Sequence, residues 1–129
     1  MKISQAANAA GLSAKTLRYY ESVGLVSFTR DSNGYRIIGD GDLHTLEFIA
    51  HARALGFSIT ECRSLLSLYA DDTRASADVK AMAQVHLAEI DTKIRELTQM
   101  RDTIAGLIDC CAGDARPNCP ILEGIKDLR

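Results

Sequence analysis

From Arg74 to about Ile108 the chain reads helical without a break, and this run constrains everything else the molecule can do. Leu87, Ile90, Ile94, Leu97, Ile104 and Ile108 recur in alternating steps of three and four, with Arg101 at one expected seam position. A stripe of that period over about three heptads marks a coiled coil. A helix of some 35 residues extends about 50 Å at 1.5 Å per residue. The residues before it, 1–70, are too few to cover that length. The helix is therefore expected to pair with a second chain.

Those first 70 residues read as a small helical head. Ile3 to Ala10 is alanine-rich and helical, with Ser4 as a candidate cap. Gly11 follows, a residue that ends a helix in the left-handed conformation without steric cost. Ser13 reads as the N-cap of a second helix, Ala14 to Ser22, which Gly24 ends in turn. Two short helices about a Gly-containing turn form a helix-turn-helix, here at about residues 4–23. Ile3, Ala6, Ala7, Leu12, Leu17 and Val23 are spaced to pack the two helices together. Next come Leu25-Val26, the polar run Asp31-Ser32-Asn33-Gly34, and Tyr35-Arg36-Ile37-Ile38. Asn-Gly between short β-prone runs is a strong hairpin signal, since both residues tolerate positive φ. This hairpin is the candidate wing. Asp40 or Asp42 then caps a helix of about Leu43 to Leu55, ended by Gly56. Ser58 caps a fourth, about Ile59 to Ala70, with Glu61 near the capping-box position. After the long helix, Asp109 to Pro120 contains Gly113, Pro117 and Pro120 and reads as a loop, followed by a short helix at about Ile121 to Leu128.

Charge divides along the same line. The whole chain carries a net −2. Met1 to Arg36 has five bases (Lys2, Lys15, Arg18, Arg30, Arg36) against two acids (Glu21, Asp31), and the remainder has ten bases against fifteen acids. A basic head on an acidic body fits phosphate contact at one end and a different task at the other. No stretch approaches the roughly 18 apolar residues of a membrane span, and the first residues lead into no signal-peptide run. The expected compartment is the cytoplasm, where thiols stay reduced.

A helix that enters a major groove needs donors along one face and small polar residues near its N-terminus. Ser13, Lys15, Thr16, Arg18 and Tyr19 supply them within about two turns. Arg30, Tyr35 and Arg36 on the hairpin are expected to reach the backbone or minor groove beside it. A basic helix, a turn and a basic Asn-Gly wing in this order point to double-stranded DNA.

The cysteines raise a second function. Cys110, Cys111 and Cys119 cluster near the end of the chain, whereas Cys62 sits on a helix of the head beside Leu65 and Leu66 and reads as a packed thiol. Clustered thiols in a reducing compartment suggest a metal site or redox chemistry rather than a disulfide framework. Cys111 and Cys119, spaced C-x7-C, can face one ion from opposite ends of a short loop. Soft thiolates select soft ions such as Cu(I), and Zn(II) if further ligands join. The loop has no histidine, and His44, His51 and His86 lie upstream on predicted helices as solvated or packed groups. Two donors favour a monovalent ion in near-linear geometry. A thiol redox enzyme finds no His or Asp partner and no C-x-x-C in a βαβ setting. A metal carrier without DNA binding would leave the basic helix and wing without a role. A regulator, not an enzyme, is expected.

The run ISQAANAAGLSAKTLRYYESVGLV at residues 3–26, followed by NGYR at 33–36, resembles the N-terminal signature of the MerR family of transcriptional regulators. The resemblance extends over the whole chain. It implies a mainly α fold: a winged helix-turn-helix DNA-binding head with a small β-hairpin wing at 1–70, a long antiparallel coiled-coil dimerisation helix at 74–108, and a metal-binding loop with a C-terminal helix at 109–129. It further implies a homodimer on a pseudo-palindromic promoter, with Lys15, Arg18 and Tyr19 on the recognition helix and Arg36 on the wing. Arg53 matches a position that touches phosphate in some relatives. C-x7-C-P-I after the long helix resembles the CueR-type, copper-responsive branch, which senses Cu(I), Ag(I) or Au(I). In branches that sense divalent ions, a partner-subunit cysteine joins the site, and here Ser76 stands at that position, as in the monovalent branch. Cys110 departs from the copper pattern. A Cys-Cys pair occurs in zinc-responsive relatives, and Cys110 reads as an accessory or non-ligand thiol. The rival within the family is a zinc, cadmium or lead sensor. The mechanism implied is activation: ion binding orders the loop, docks the final helix near Ile121 to Ile125, and reorients the heads so that bent, untwisted DNA aligns the promoter elements for RNA polymerase.

Overall fold

The computed structural model describes residues 1–110 and 119–128, as six helices and one two-stranded hairpin. In chain order these are α1 (Ile3–Ala10), α2 (Ala14–Ser22), β1 (Thr29–Arg30), β2 (Arg36–Ile37), α3 (Asp40–Ala54), α4 (Ile59–Ala70), α5 (Ser76–Asp109) and α6 (Pro120–Lys126). The fold is mainly helical, as the periodicities predict. Two compact units divide the chain, Met1–Val79 and Lys80–Arg129.

In the first unit, α1 and α2 meet through small side chains. Ala6 and Ala7 are buried against Leu17 and Tyr20, with Ile3, Leu12 and Val23 at the margin. Gly11 makes the turn possible by adopting φ +71°, and its N–H reaches back to the Asn8 carbonyl at 3.2 Å. α3 adds Leu46, Ile49 and Ala52, the hairpin adds Phe28 and Ile38, and α4 adds Cys62, which is fully buried. Burying a side chain of the Leu or Ile class stabilises the fold by about 1.5–3 kcal/mol each. α4 opens on a complete capping box: Ser58 Oγ accepts from Glu61 N at 3.1 Å, and Glu61 Oε1 accepts from Ser58 N at 2.9 Å.

Three local expectations change. α1 is capped at Lys2 rather than Ser4, and the Gln5 side chain accepts the Lys2 N–H at 3.0 Å. α3 begins a turn earlier than the apolar pattern indicates, because Gly39 is its N-cap and Asp42 Oδ2 accepts the Gly39 N–H at 3.1 Å. At the hairpin tip only Gly34 takes positive φ, +82°, and Asn33 does not. Asp31 explains the difference. Its Oδ1 accepts from Asn33 N at 2.9 Å and Tyr35 N at 3.0 Å, while its carbonyl accepts from Gly34 N at 3.0 Å. The aspartate side chain organises an ordinary turn, so one left-handed glycine suffices to return the strand.

In the second unit, the heptad side chains of α5 lie open. Leu87, Ile94, Leu97, Ile104 and Ile108 are each 55–61% exposed, Ile90 is half-buried, and Arg101 is also exposed. α6 packs on the end of α5 at Gly124, where a β-carbon would strike the Leu107 side chain. Beside this contact, a cleft of about 560 Å³ runs between Met100, Thr103 and Ile104 of α5 and Ile125 and Leu128.

Candidate functional site

The amphipathicity of α2 sorts its residues cleanly. Leu17 and Tyr20 point into the core, while Lys15, Arg18 and Tyr19 are exposed, Tyr19 to 53%. Ser13 is spent on the helix itself: its Oγ accepts from Thr16 N at 3.0 Å and pairs with Thr16 Oγ1 at 2.8 Å. Of the five positions read from the sequence on this helix, three therefore present free length to solvent and two shape the helix start.

The wing carries Arg30, Tyr35 and Arg36. Tyr35 is the most open, at 72%. The two arginines are brought together by Glu21 of α2. Glu21 Oε1 accepts from Arg30 Nη2 at 3.0 Å and from Arg36 Nε at 3.0 Å and Nη2 at 2.9 Å. Arg30 also donates from Nη1 to the Gly34 carbonyl at 3.0 Å. A cleft of about 530 Å³ between the wing and the start of α1 is lined by Lys2, Ile3, Ser4, Gly34, Tyr35 and Arg36. Lys2 is thus a further base on the wing side of the head.

Arg53, on α3, donates to the Phe57 carbonyl at 2.8 Å and closes the α3–α4 turn. Sequence reasoning missed Arg63 of α4. Its Nη1 and Nη2 donate to the carbonyls of Gly24 and Val23 at 2.9 and 2.8 Å, satisfying the C-terminal end of α2. It also missed Glu21 as the anchor of the wing. The only signal for Glu21 was its place directly after Tyr19-Tyr20, and for Arg63 there was none.

Of the cysteines expected to hold an ion, Cys111 lies outside the described residues. Cys119 is half-buried at the N-cap of α6, and Cys110 is exposed in the turn after α5. Ser76 is the first residue of α5 and is exposed. Cys62 stands apart in the head core, where burial pushes its thiol pKa up, with Arg53 opposing and Glu61 adding to the rise. His44 and His51 are exposed on α3, and His86 is buried on α5 with its Nδ1 3.9 Å from Glu89 Oε2. No helix among the described residues is long and apolar enough to cross a membrane.

A basic, outward-facing second helix in a helix-turn-helix, with a hairpin wing tied to it, defines a winged helix-turn-helix DNA-binding protein. Residues 1–68 match the model of the MerR HTH family regulatory protein, and residues 43–107 match that of MerR, DNA binding. The HTH-type transcriptional regulator HmrR of Rhizobium leguminosarum bv. viciae is 52% identical over 98% of both chains. The HTH-type transcriptional regulator CueR of Salmonella typhimurium is 40% identical over 98% of this chain and 92% of its own. Among solved structures, the transcription regulator PbrR691 from Ralstonia metallidurans CH34, in complex with lead(II), superposes with a TM-score of 0.82 at 30% identity, covering 97% of this chain and 98% of that one. The chain belongs to the MerR family of transcriptional regulators. Its relatives regulate transcription and are not enzymes.

Proposed function

We propose that the chain is a metal-responsive transcriptional activator that works in the cytoplasm as a homodimer on promoter DNA, and that its effector is Cu(I), with Ag(I) or Au(I) as alternatives of the same charge. In this reading residues 1–70 hold the DNA, 74–108 form the dimerisation helix and 109–129 sense the ion. Lys15, Arg18 and Tyr19 face the major groove. Ser13 and Thr16 set the start of that helix, Arg30, Tyr35 and Arg36 reach the backbone or minor groove beside it, and Arg53 touches phosphate. The open stripe of Leu87, Ile90, Ile94, Leu97, Ile104 and Ile108 supports pairing with a second copy, because an unpaired face of this kind is unfavourable in water.

One observation carries the choice of ion. Between Asp109 and Arg129 the soft donors are Cys110, Cys111 and Cys119, with no histidine. Cys111 and Cys119 with one monovalent cation carry a net charge of −1, which the serine hydroxyl at position 76 tolerates. A divalent ion held by Cys111 and Cys119 alone would lack a third negative ligand, because Ser76 stands where the divalent branches place a cysteine and Cys110 is read as an accessory thiol. Cys111 and Cys119 would be the residues that hold the ion, which would supply a link between two cysteines eight positions apart. Cys119 then fixes the start of α6, whose Gly124 sits on Leu107 of α5, so that order in the loop is transmitted to the dimerisation helix. Reoriented heads distort the promoter and present it to RNA polymerase.

A divalent sensor is the second reading, favoured by the lead(II) complex of PbrR691 and by Cys110 as a further thiol. Promoter activation measured at controlled free-ion levels separates the two. Cys111→Ser and Cys119→Ser are each expected to abolish the Cu(I) response, while Cys110→Ser leaves it intact. X-ray absorption of the Cu(I)-loaded dimer is expected to show two short metal–sulfur contacts and no nitrogen. A zinc or lead response equal to that of copper, lost in Cys110→Ser, would move the assignment to the divalent reading.

A further inference from the structure

Glu21 is an acid on the outward side of a basic head, and it is the point where the two wing arginines converge. We propose that Glu21 is a positioning residue that sets DNA specificity, by fixing Arg30 and Arg36 to the recognition helix at the expense of bulk electrostatic attraction. This rests on the reading of α2 and the wing as the DNA interface.

The geometry is specific. Arg36 turns its Nε–Nη2 edge to Glu21 Oε1, so the planar guanidinium holds Nη1 on its opposite edge. Arg30 spans two anchors, the Glu21 carboxylate and the Gly34 carbonyl at the wing tip. The side chains of Glu21 and Arg36 are each only 20% exposed, which shields their pair from solvent more than an open surface bridge. The head's other acid near the wing, Asp31, is committed to the backbone N–H groups of Asn33 and Tyr35. Each of the two wing strands is only two residues long, and so short a ribbon does not hold its own angle to a helix. Packing of Phe28 and Ile38, with Ile38 N donating to the Met1 carbonyl at 3.2 Å, holds the foot of the hairpin, and Glu21 adds the tie between the two wing arginines and α2.

The electrostatic consequence runs the other way. Sequence-independent affinity grows with the positive charge brought to the phosphates. A carboxylate between two arginines lowers it. Donors already fixed in place, however, lose little freedom on docking to the correct site. Glu21 therefore weakens binding to arbitrary DNA and favours duplexes whose sequence-dependent backbone shape places phosphates to match the fixed guanidinium groups. A residue that merely supported the fold would affect both kinds of binding in the same direction.

The test uses the full-length protein, a duplex that it selects from a random-sequence pool, and a scrambled duplex of equal length. Glu21→Gln keeps the shape and a hydrogen-bond acceptor but removes the charge. It is expected to raise affinity for the scrambled duplex on the order of threefold to tenfold and to steepen its salt dependence by about 1 per head. The ratio of selected to scrambled affinity is expected to drop at least tenfold. In a background of Arg30→Ala and Arg36→Ala, adding Glu21→Gln is expected to leave that ratio unchanged, because the residue acts through the two arginines. Parallel loss on both duplexes, or an unchanged ratio, would overturn the proposal. If the wild-type protein selects no duplex at all, the DNA-interface reading falls first, and this proposal with it.

Discussion

The head and the long helix solve the burial problem in opposite ways. Leu17, Ile38, Leu46, Ile49 and Cys62 of the head are fully enclosed by their own chain, drawn from α2, the wing, α3 and α4. α5 has a comparable supply of Leu and Ile, yet Leu87, Ile94, Leu97, Ile104 and Ile108 remain more than half exposed. The difference is one of geometry. Short helices can turn back on each other, and Gly11, Gly24 and Gly56 adopt the left-handed conformations that let them do so. A continuous 34-residue helix cannot fold onto itself, and in the proposed dimer its stripe is closed by the second copy. Stability in the head should therefore be a property of one chain, whereas stability along α5 should depend on concentration.

The strongest way to break this contrast is at the stripe. Leu97→Asp combined with Ile104→Asp is expected to convert the dimer to monomer in sedimentation analysis, and to weaken binding to a two-fold operator at least 100-fold, since buried unpaired charges are strongly unfavourable. A variant that stayed dimeric would show that α5 is covered by something other than its own copy. Within the head, Leu46→Ala is expected to lower unfolding stability by about 2–5 kcal/mol in urea titrations. That loss should be independent of protein concentration, and a concentration-dependent loss would blur the line between the two regions. The smallest effect tests a local device. Ser58→Ala removes one arm of the α4 capping box and is expected to lower stability by about 1 kcal/mol. A zero effect would mean that packing of Cys62 and its neighbours alone sets the start of α4.

A pH titration sharpens the comparison chemically. Burial raises the pKa of the Cys62 thiol, so its folded value lies above its unfolded one. The corresponding stability is fully present below the ordinary thiol range and is lost as pH rises through the folded pKa. Thiol-labelling should accordingly modify exposed Cys110 quickly, and Cys62 only at the rate at which the head opens.

Local chemistry was legible in the residues themselves. The bounds of α1 and α2, the Ser13 and Ser58 caps, the hairpin and the unbroken long helix all follow from caps, glycines and apolar spacing, which act over a few residues. Gly39 as the cap of α3 was less legible, because Asp40 and Asp42 are the stronger cap formers and the backbone used Asp42 from inside the helix instead. Glu21 and Arg63 were invisible in their wider roles. Glu21 joins groups 9 and 15 residues away, and Arg63 reaches carbonyls 39 and 40 residues back. No period or motif encodes such partners; only the folded chain brings them within hydrogen-bond distance. The sequence by itself determined which segments are helices, which face of each is apolar, and that the sulfur donors gather beyond α5, since these depend on residue order alone. The tertiary structure decided which charges meet. Thus the wing is not a free basic arm: its foot packs into the head core through Phe28 and Ile38, and its two arginines are tied to α2 by the Glu21 carboxylate.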